Sequence, residues 1–230
     1  MTRHVPAMLT VLLAATIVAG SASAGGAVAA ESGYKIIDLR PILNMDWRDE
    51  VWGDGKGGWT DQGDTDMRNI EVGMKTFFGI PFEVIDPANS GGKAVLTLKS
   101  KRFPPGPVTA TATVGLKARS LYFLHASAWT GGHMATYIVR YDDGTAAEIP
   151  IRAKEEICDW WGPTHGAKYR VAFHVPNAKT DAVGLLVFGW DNPNPDKLIK
   201  NIEFRSEVAD GIVLVAAVTA SDKPVSMPDP

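Results

Sequence analysis

Short runs in which apolar and polar residues alternate recur along the chain, separated by glycine, proline, Asp and Asn. Such runs are typical of β-strands, whose side chains point alternately to the two faces of a sheet. No run sustains the 3.6-residue apolar period that a core helix needs. The pattern predicts eleven strands, at 34–39, 76–85, 94–99, 108–114, 120–129, 134–141, 147–152, 169–175, 183–190, 199–205 and 212–218.

One turn between two of these runs is predicted directly. The runs 134–141 and 147–152 flank Asp142-Asp143-Gly144-Thr145, and an Asp-Gly pair between alternating segments is a strong hairpin signal. Within 134–141, the even-numbered residues from Met134 to Arg140 share one face and the odd-numbered residues from Ala135 to Tyr141 share the other, which fits a sheet with one wet face.

The sequence of elements favours an all-β protein. Many short strands with no helices between them indicate an antiparallel β-sandwich or barrel. The apolar runs 183–188 and 211–220 have ten residues or fewer, so we predict that they are central or fully covered strands. We find no linker or internal repeat, which predicts a single domain over 31–220. Three prolines in 221–230 predict a loose C-terminal tail.

The first thirty residues have the pattern of a secretory signal peptide. Arg3 and His4 precede an apolar run at 7–19, and small residues follow with Ala-x-Ala patterns at 22–24 and 27–29. A membrane span needs about 20 consecutive apolar residues, so the alternative of an anchor is disfavoured. We predict cleavage near 24–30 and a secreted or periplasmic protein that is not an integral membrane protein.

Composition and charge exclude several classes of protein. A net charge of −3 offers no electrostatic footprint for nucleic acid. The one cysteine, Cys158, excludes an internal disulfide and any multi-cysteine metal site. Cys158 is a weak candidate for a nucleophile, and we expect it to be a small buried residue.

The most unusual segment spans 46–69, with three tryptophans, five glycines and seven acids. A long irregular loop of this kind usually serves binding or a metal. Carboxylates are hard oxygen ligands suited to calcium, although the spacing does not match an EF-hand. We predict a structural Ca²⁺ with ligands among four aspartates. The alternative is that these aspartates form turns and caps. They are Asp54, Asp61, Asp64 and Asp66.

Tryptophans also stand at loops and strand ends, each with polar neighbours. Exposed indole faces match the C–H faces of sugars, and nearby carboxylate, amide and guanidinium groups bind hydroxyls in sparsely polar, concave sites. The alternative is that these rings fill the core, and we expect two or three to be exposed. The candidate carbohydrate-binding residues are Trp59, Asp61, Arg68, Asn69, Trp129, Asp159, Trp160, Trp161 and Trp190.

Evidence for catalysis is weak in this sequence. The histidines at 125, 133, 165 and 174 lack zinc-site spacing, and His125 fits a satisfied, inward-facing residue on its strand. Serine-hydrolase, P-loop and Rossmann motifs are absent. A glycosidase needs two opposed carboxylates, and the sequence offers acids without showing opposition. Those acids are Glu148, Glu155, Glu156 and Asp159.

Several stretches together carry a family resemblance. They are GDGKGGWTDQGDTDMRN (53–69), FFGIPFEVID (77–86), LYFLHASAW (121–129), YDDGTAAEIPIR (141–152), DWWGP (159–163) and FGWDNPNPDKLIKNIEF (188–204). This pattern resembles the galactose-binding-like, carbohydrate-binding-module-like jelly rolls of bacterial secreted proteins associated with glycoside hydrolases. The resemblance covers almost all of the predicted domain. It implies a β-sandwich whose loops bind carbohydrate, often with a structural calcium at a sheet edge.

We therefore expect a secreted, non-catalytic protein that binds a polysaccharide or oligosaccharide through loop tryptophans. Two alternatives remain open from the residues alone. One is a small glycan-active hydrolase or lyase that uses acids on the same face. The other is a structural β-sandwich that binds a protein partner in the cell envelope.

Overall fold

The computed structural model describes residues 1–2 and 33–229, whose regular structure is almost entirely β-strand. Two single turns of 3₁₀ helix span Arg40–Ile42 and Pro87–Asn89. The predicted signal peptide, beyond its first two residues, lies outside the described residues. Within the described ranges, no helix has the length and apolarity to cross a membrane. The strands are β1 (Tyr34–Ile37), β2 (Gly73–Phe77), β3 (Ile80–Val84), β4 (Leu96–Thr97), β5 (Thr109–Leu116), β6 (Ser120–Ala128), β7 (His133–Tyr141), β8 (Ala146–Arg152), β9 (Tyr169–Val171), β10 (Leu186–Asp191), β11 (Ile199–Ser206) and β12 (Ile212–Ser221).

Two antiparallel sheets form the body of the protein. The six-stranded sheet has the order β1-β12-β6-β10-β9, with β4 also paired to β12, and the four-stranded sheet has the order β5-β11-β7-β8. When β1, β5 to β8 and β10 to β12 are numbered along the chain, these orders become 1-8-3-6 and 2-7-4-5. This is the strand order of a jelly roll. The predicted all-β antiparallel sandwich is confirmed.

Two hairpins show how local sequence sets the turns. The predicted hairpin at Asp143-Gly144 joins β7 and β8, with Gly144 at a φ of 85°. The run 76–85, predicted as one strand, is instead divided between β2 and β3. Its turn is Phe78-Gly79, with φ values of 55° and 78°. Two consecutive positive φ angles are the geometry of a type I′ turn, which the alternation pattern does not show.

The first apolar core lies between the two sheets. Ala135, Tyr137, Val139 and Tyr141, which share one face of β7, belong to this core. The Tyr137 ring is central, with ring centroids 5.0 Å from Phe123 and 4.9 Å from Phe204. The outer face of the four-stranded sheet carries ion pairs such as the one between Arg140 and Glu203. The outer face is not uniformly wet, because Met134, Thr136 and Ile138 of β7 are at most 2% exposed.

A second apolar layer covers the other face of the six-stranded sheet. Every residue of β6 and β12 is buried, because their side chains pack alternately into the first core and into this layer. The prediction that 211–220 is a covered strand is therefore confirmed. The layer contains Trp47 and Trp59 from the irregular segment 43–72 and Trp160 from the segment between β8 and β9.

The C-terminal segment, predicted to be loose, contacts the body of the protein in its described part. The Val225 amide donates to Asp191 Oδ1 at 2.7 Å, and the Val225 side chain packs on the second apolar layer. The buried Arg170 donates from Nε to the Pro228 carbonyl at 2.7 Å. These partners come from distant strands, so the composition of the tail alone does not reveal them.

Candidate functional site

The five candidate tryptophans differ sharply in exposure. Trp129 and Trp161 retain 39% and 41% of their surface. Trp59 and Trp160 are buried, and Trp190 is partly buried against the first core. An aromatic ring stacks on a ligand only through an open face. Trp129 and Trp161 are the two of the five with substantial exposed surface, and the Arg102 guanidinium lies over one face of the Trp129 ring.

Backbone hydrogen bonds bring the loops of these two residues together at one end of the sandwich. Near the end of β6, the Ser127 amide donates to the Cys158 carbonyl at 3.2 Å, and the Trp160 amide donates to the Ser127 carbonyl at 2.8 Å. The segment after β8 is thereby aligned beside β6, just before the chain leaves the sheet. Trp129 and Trp161 consequently belong to two connected loops.

The Asp159 carboxylate completes this connection. Its Oδ1 accepts from the Trp161 amide at 3.0 Å, and its Oδ2 accepts from the Thr130 amide and hydroxyl at 3.3 and 3.1 Å. The Asp159 side chain therefore bonds to the first residues of both loops. Its carboxylate oxygens retain lone pairs that can accept from a further donor.

The backbone at Trp129 is held in an unfavourable conformation. Its φ is 51°, in the left-handed region, which costs a residue other than glycine on the order of 1–2 kcal/mol. The Arg102 guanidinium lies 5.1 Å from the centroid of its ring. A large apolar side chain kept exposed at such a position is more typical of binding loops than of packing.

A cavity of about 490 Å³ opens beside the two loops. Thr130, Asp159 and His165 contribute polar groups to its wall. His165 Nδ1 accepts from the Val171 amide at 3.1 Å, so the neutral ring carries its proton on Nε2. The cavity therefore offers both hydrogen-bond donors and acceptors to a polar ligand.

Cys158 lines the same cavity with its sulfur against backbone carbonyls. Burial raises the pKa of the Cys158 thiol, with a smaller opposing effect from the hydrogen bond to Thr164. A raised pKa keeps the sulfur protonated, whereas a nucleophilic cysteine requires thiolate. Cys158 was expected to be a small buried residue, and the structure gives it intermediate burial.

Trp190 lies far from this site. It pairs with Leu121 near the start of β6, whereas Trp129 follows the end of that strand. At about 3.3 Å per residue, the eight intervening steps separate the two backbones by about 26 Å. The structure therefore does not bring Trp190 together with Trp129 and Trp161.

Arg68 and Asn69 are engaged in holding segment 43–72. Arg68 forms an ion pair with the buried Asp66 at 2.9 Å and donates to the backbone carbonyl of Asp49 at 2.8 Å. Asn69 donates from its side-chain amide to the Pro176 carbonyl at 2.9 Å. Arg68 also borders a second cavity, of about 590 Å³, whose wall is rich in charged groups.

The predicted calcium ligands are only partly brought together. Asp54 and Asp61 form a cluster with Asp49, and one oxygen from each lies within 4.8 Å of the others. Asp64 is exposed outside this cluster, and Asp66 is paired with Arg68. Sequence reasoning missed Asp49, because its burial depends on contacts that the sequence does not display.

Three of the four acids considered for glycosidase chemistry have cationic neighbours, and the fourth is Asp159, which joins the two tryptophan loops. Glu148 lies 3.7 Å from an Arg205 nitrogen on the outer face of the four-stranded sheet. Glu155 and the buried Glu156 both pair with Lys168. Each of the three therefore has an electrostatic role within the folded protein.

Comparisons with protein families, curated proteins and solved structures do not assign this chain to a family. No family model and no curated protein matches the chain. Among solved structures, it is similar to a chain from "Structural and functional characterization of Pseudomonas aeruginosa AlgX", at 11% identity and a TM-score of 0.29. The similarity covers 55% of this chain and 26% of that one.

Proposed function

We propose that this protein is a secreted or periplasmic, non-catalytic carbohydrate-binding protein of the galactose-binding-like jelly-roll type. Its ligand is a polysaccharide or oligosaccharide bound at the end of the sandwich that carries Trp129 and Trp161. The observation that carries the proposal is the pair of half-exposed indoles on two loops joined through Asp159, beside a polar cavity.

The chemistry of these groups suits a sugar. The indole faces stack on the C–H face of a pyranose ring, while Thr130, Asp159 and His165 hydrogen-bond its hydroxyls. Such a combination of apolar faces and a few polar groups is typical of small-ligand sites.

The buried tryptophans support this surface from below. Trp59 and Trp160 are in edge contact at 5.1 Å, and Trp160 contacts Trp161 in the same way at 5.6 Å. The exposed ring of Trp161 therefore rests on a rigid aromatic base. A site held in its binding geometry loses less entropy when the ligand binds.

Affinity electrophoresis of single variants against a panel of polysaccharides tests the proposal. We expect Trp161→Ala and Trp129→Ala each to weaken binding of the retained glycan at least tenfold, which corresponds to about 1.4 kcal/mol. Trp52→Ala is the matched control, because Trp52 is 66% exposed but belongs to segment 43–72. We expect its binding to stay within twofold of the wild type.

Two results would overturn the proposal. One is that no polysaccharide retards the wild-type protein. The other is that Trp52→Ala weakens binding as much as the two site variants. If envelope extract instead yields a protein partner whose capture is insensitive to added sugars, the exposed indoles belong to a protein-binding surface.

A further inference from the structure

Asp49 is a buried acid with an incomplete set of partners. Its side chain is 1% exposed, and its Oδ2 accepts from the Gly63 amide at 2.7 Å. Its Oδ1 is buried, and no described residue donates a hydrogen bond to it. A buried polar atom without a partner costs about 1–3 kcal/mol, and more when it is charged. The folded protein therefore needs a hydrogen-bond donor or a cation at this atom.

Two further carboxylates lie at the same place. One oxygen from each of Asp49, Asp54 and Asp61 lies within 4.8 Å of the others. Among the ion pairs of the described residues, none involves these three. The neighbouring Arg68 is directed to Asp66 and to a backbone carbonyl instead. Within the described residues, no cation therefore pairs with the three carboxylates. Like charges at such a separation repel one another, which makes the cluster unfavourable without a cation.

Glycines form the wall behind the Asp49 carboxylate. A Cβ on Gly57 would lie 3.0 Å from Asp49 Oδ1, and one on Gly58 would lie 2.6 Å from Asp49 Cβ. Side chains at these positions would therefore crowd the carboxylate.

Backbone groups orient another member of the cluster. The Asp61 carboxylate accepts from the amides of Asp54 and Gly55, both at 3.1 Å. Asp61 itself has a φ of 53°, in the left-handed region. The backbone of this loop thus holds Asp61 at the cluster despite the strain.

We propose that Asp49, Asp54 and Asp61 bind one Ca²⁺ ion. Ca²⁺ takes six to eight oxygen ligands in flexible geometry, and it accepts carboxylates in mono- or bidentate modes. The donor set contains no nitrogen or sulfur, which disfavours zinc. The ion offsets two of the three negative charges of the cluster and satisfies Oδ1 of Asp49. This set replaces the one predicted from sequence, since Asp64 and Asp66 lie outside it.

The site has a structural consequence that does not depend on carbohydrate binding. The ion cross-links three points of segment 43–72, which has no regular strand to hold it. Trp47 and Trp59 from this segment cover the six-stranded sheet. An ion that binds only the folded protein stabilises it by mass action, so calcium strengthens the covering layer.

Calorimetric titration of the chelator-treated protein with CaCl₂ tests the site. We expect one Ca²⁺ per chain, together with a melting temperature that rises with calcium and falls again with chelator. Asp49→Asn should lose binding altogether. Asp54→Asn should weaken it at least tenfold, and because Asp54 is exposed this variant remains folded. Asp64→Asn is the matched control, an exposed acid of the same loop, and should bind within twofold of the wild type.

Three results would overturn the proposal. They are the absence of both heat and a melting shift with CaCl₂, equal weakening by Asp64→Asn and Asp54→Asn, and tighter binding of MgCl₂ than of CaCl₂. Circular dichroism of each variant establishes that it is folded. The glycan assay tests the proposed function separately. Loss of calcium binding does not require loss of polysaccharide binding, and the reverse also holds.

Discussion

His125 lies in the first core, and both of its ring nitrogens have partners. Its Nε2 donates to the Glu156 carbonyl at 3.1 Å, and its Nδ1 lies 3.1 Å from the Tyr137 hydroxyl, from which the neutral ring accepts. The ring also stacks on Phe188 at 5.7 Å. Burial lowers the pKa of His125 to about 3 from its ordinary value of 6.5. The folded protein therefore keeps this residue neutral.

This burial makes stability depend on pH. The unfolded chain binds a proton at His125 below pH 6.5, whereas in the folded chain His125 stays neutral until about pH 3. The contribution of neutral His125 to the free energy of unfolding is thus complete above pH 6.5 and is lost as the pH falls toward 3. We expect the free energy of unfolding to decrease by about 1.4 kcal/mol per pH unit from this group. Urea denaturation at pH 7, 6, 5 and 4 measures it.

The variant His125→Gln separates this residue from other acid-titrating groups. It should be less stable than the wild type at pH 7 and should lose less stability between pH 6.5 and 4. His133→Gln is the matched control for the loss of an imidazole, because His133 is exposed at the start of β7. Identical slopes for the wild type and His125→Gln would contradict the assignment.

At the scale of elements, the β2–β3 hairpin has an unusual turn. Type I′ turns favour Asn-Gly, because both central residues need positive φ. Here the first central residue is Phe78, which is partly exposed at a φ of 55°. The turn therefore stores strain that a different residue would relieve.

We expect Phe78→Asn to increase the free energy of unfolding by up to about 1 kcal/mol, since asparagine tolerates this conformation better. Gly79→Ala should decrease it by about 1 kcal/mol, because alanine is strained at a φ of 78°. Chemical denaturation of both variants measures the changes. A loss of stability in Phe78→Asn would show that the phenyl ring contributes more by packing than it costs in strain.

At the scale of the whole molecule, the C-terminal segment closes the second apolar layer. Val225 and Met227 pack on that layer, and the backbone of 223–228 bonds to side chains of β6, β9 and β10. The guanidinium of Arg170 has the Pro228 carbonyl as one of its few acceptors. Removal of this segment would leave apolar surface open and a buried charge underpaired.

We expect deletion of 224–230 to lower the free energy of unfolding by at least about 2 kcal/mol, from lost apolar burial and lost hydrogen bonds. Deletion of 229–230 alone is the control, because it leaves the described contacts of 223–228 in place. Guanidinium denaturation compares the three proteins. Equal stability of all three would show that the segment adds nothing to the fold.

The sequence predicted the local features well, and it failed where the outcome depends on distant contacts. Strand periodicity and the Asp-Gly turn are properties of neighbouring residues, so β7, β8 and the turn between them were predictable. Trp59 and Trp129 have similar local surroundings of Gly, Thr and Asp or Ser, yet one is buried and the other exposed. That difference comes from Trp160, which packs on Trp59 from a remote segment.

The sequence by itself determined the fold class, because the alternation of side chains along a strand and the absence of a helical period are local. Only the tertiary structure decided which tryptophans keep an open face, and that Asp49 joins Asp54 and Asp61 while Asp64 and Asp66 do not. It also decided which strands the proline-containing tail contacts. The physical reason is the same in each case. Burial and hydrogen-bond satisfaction are set by segments far apart in the chain, which meet only when the two sheets and their covering layer assemble.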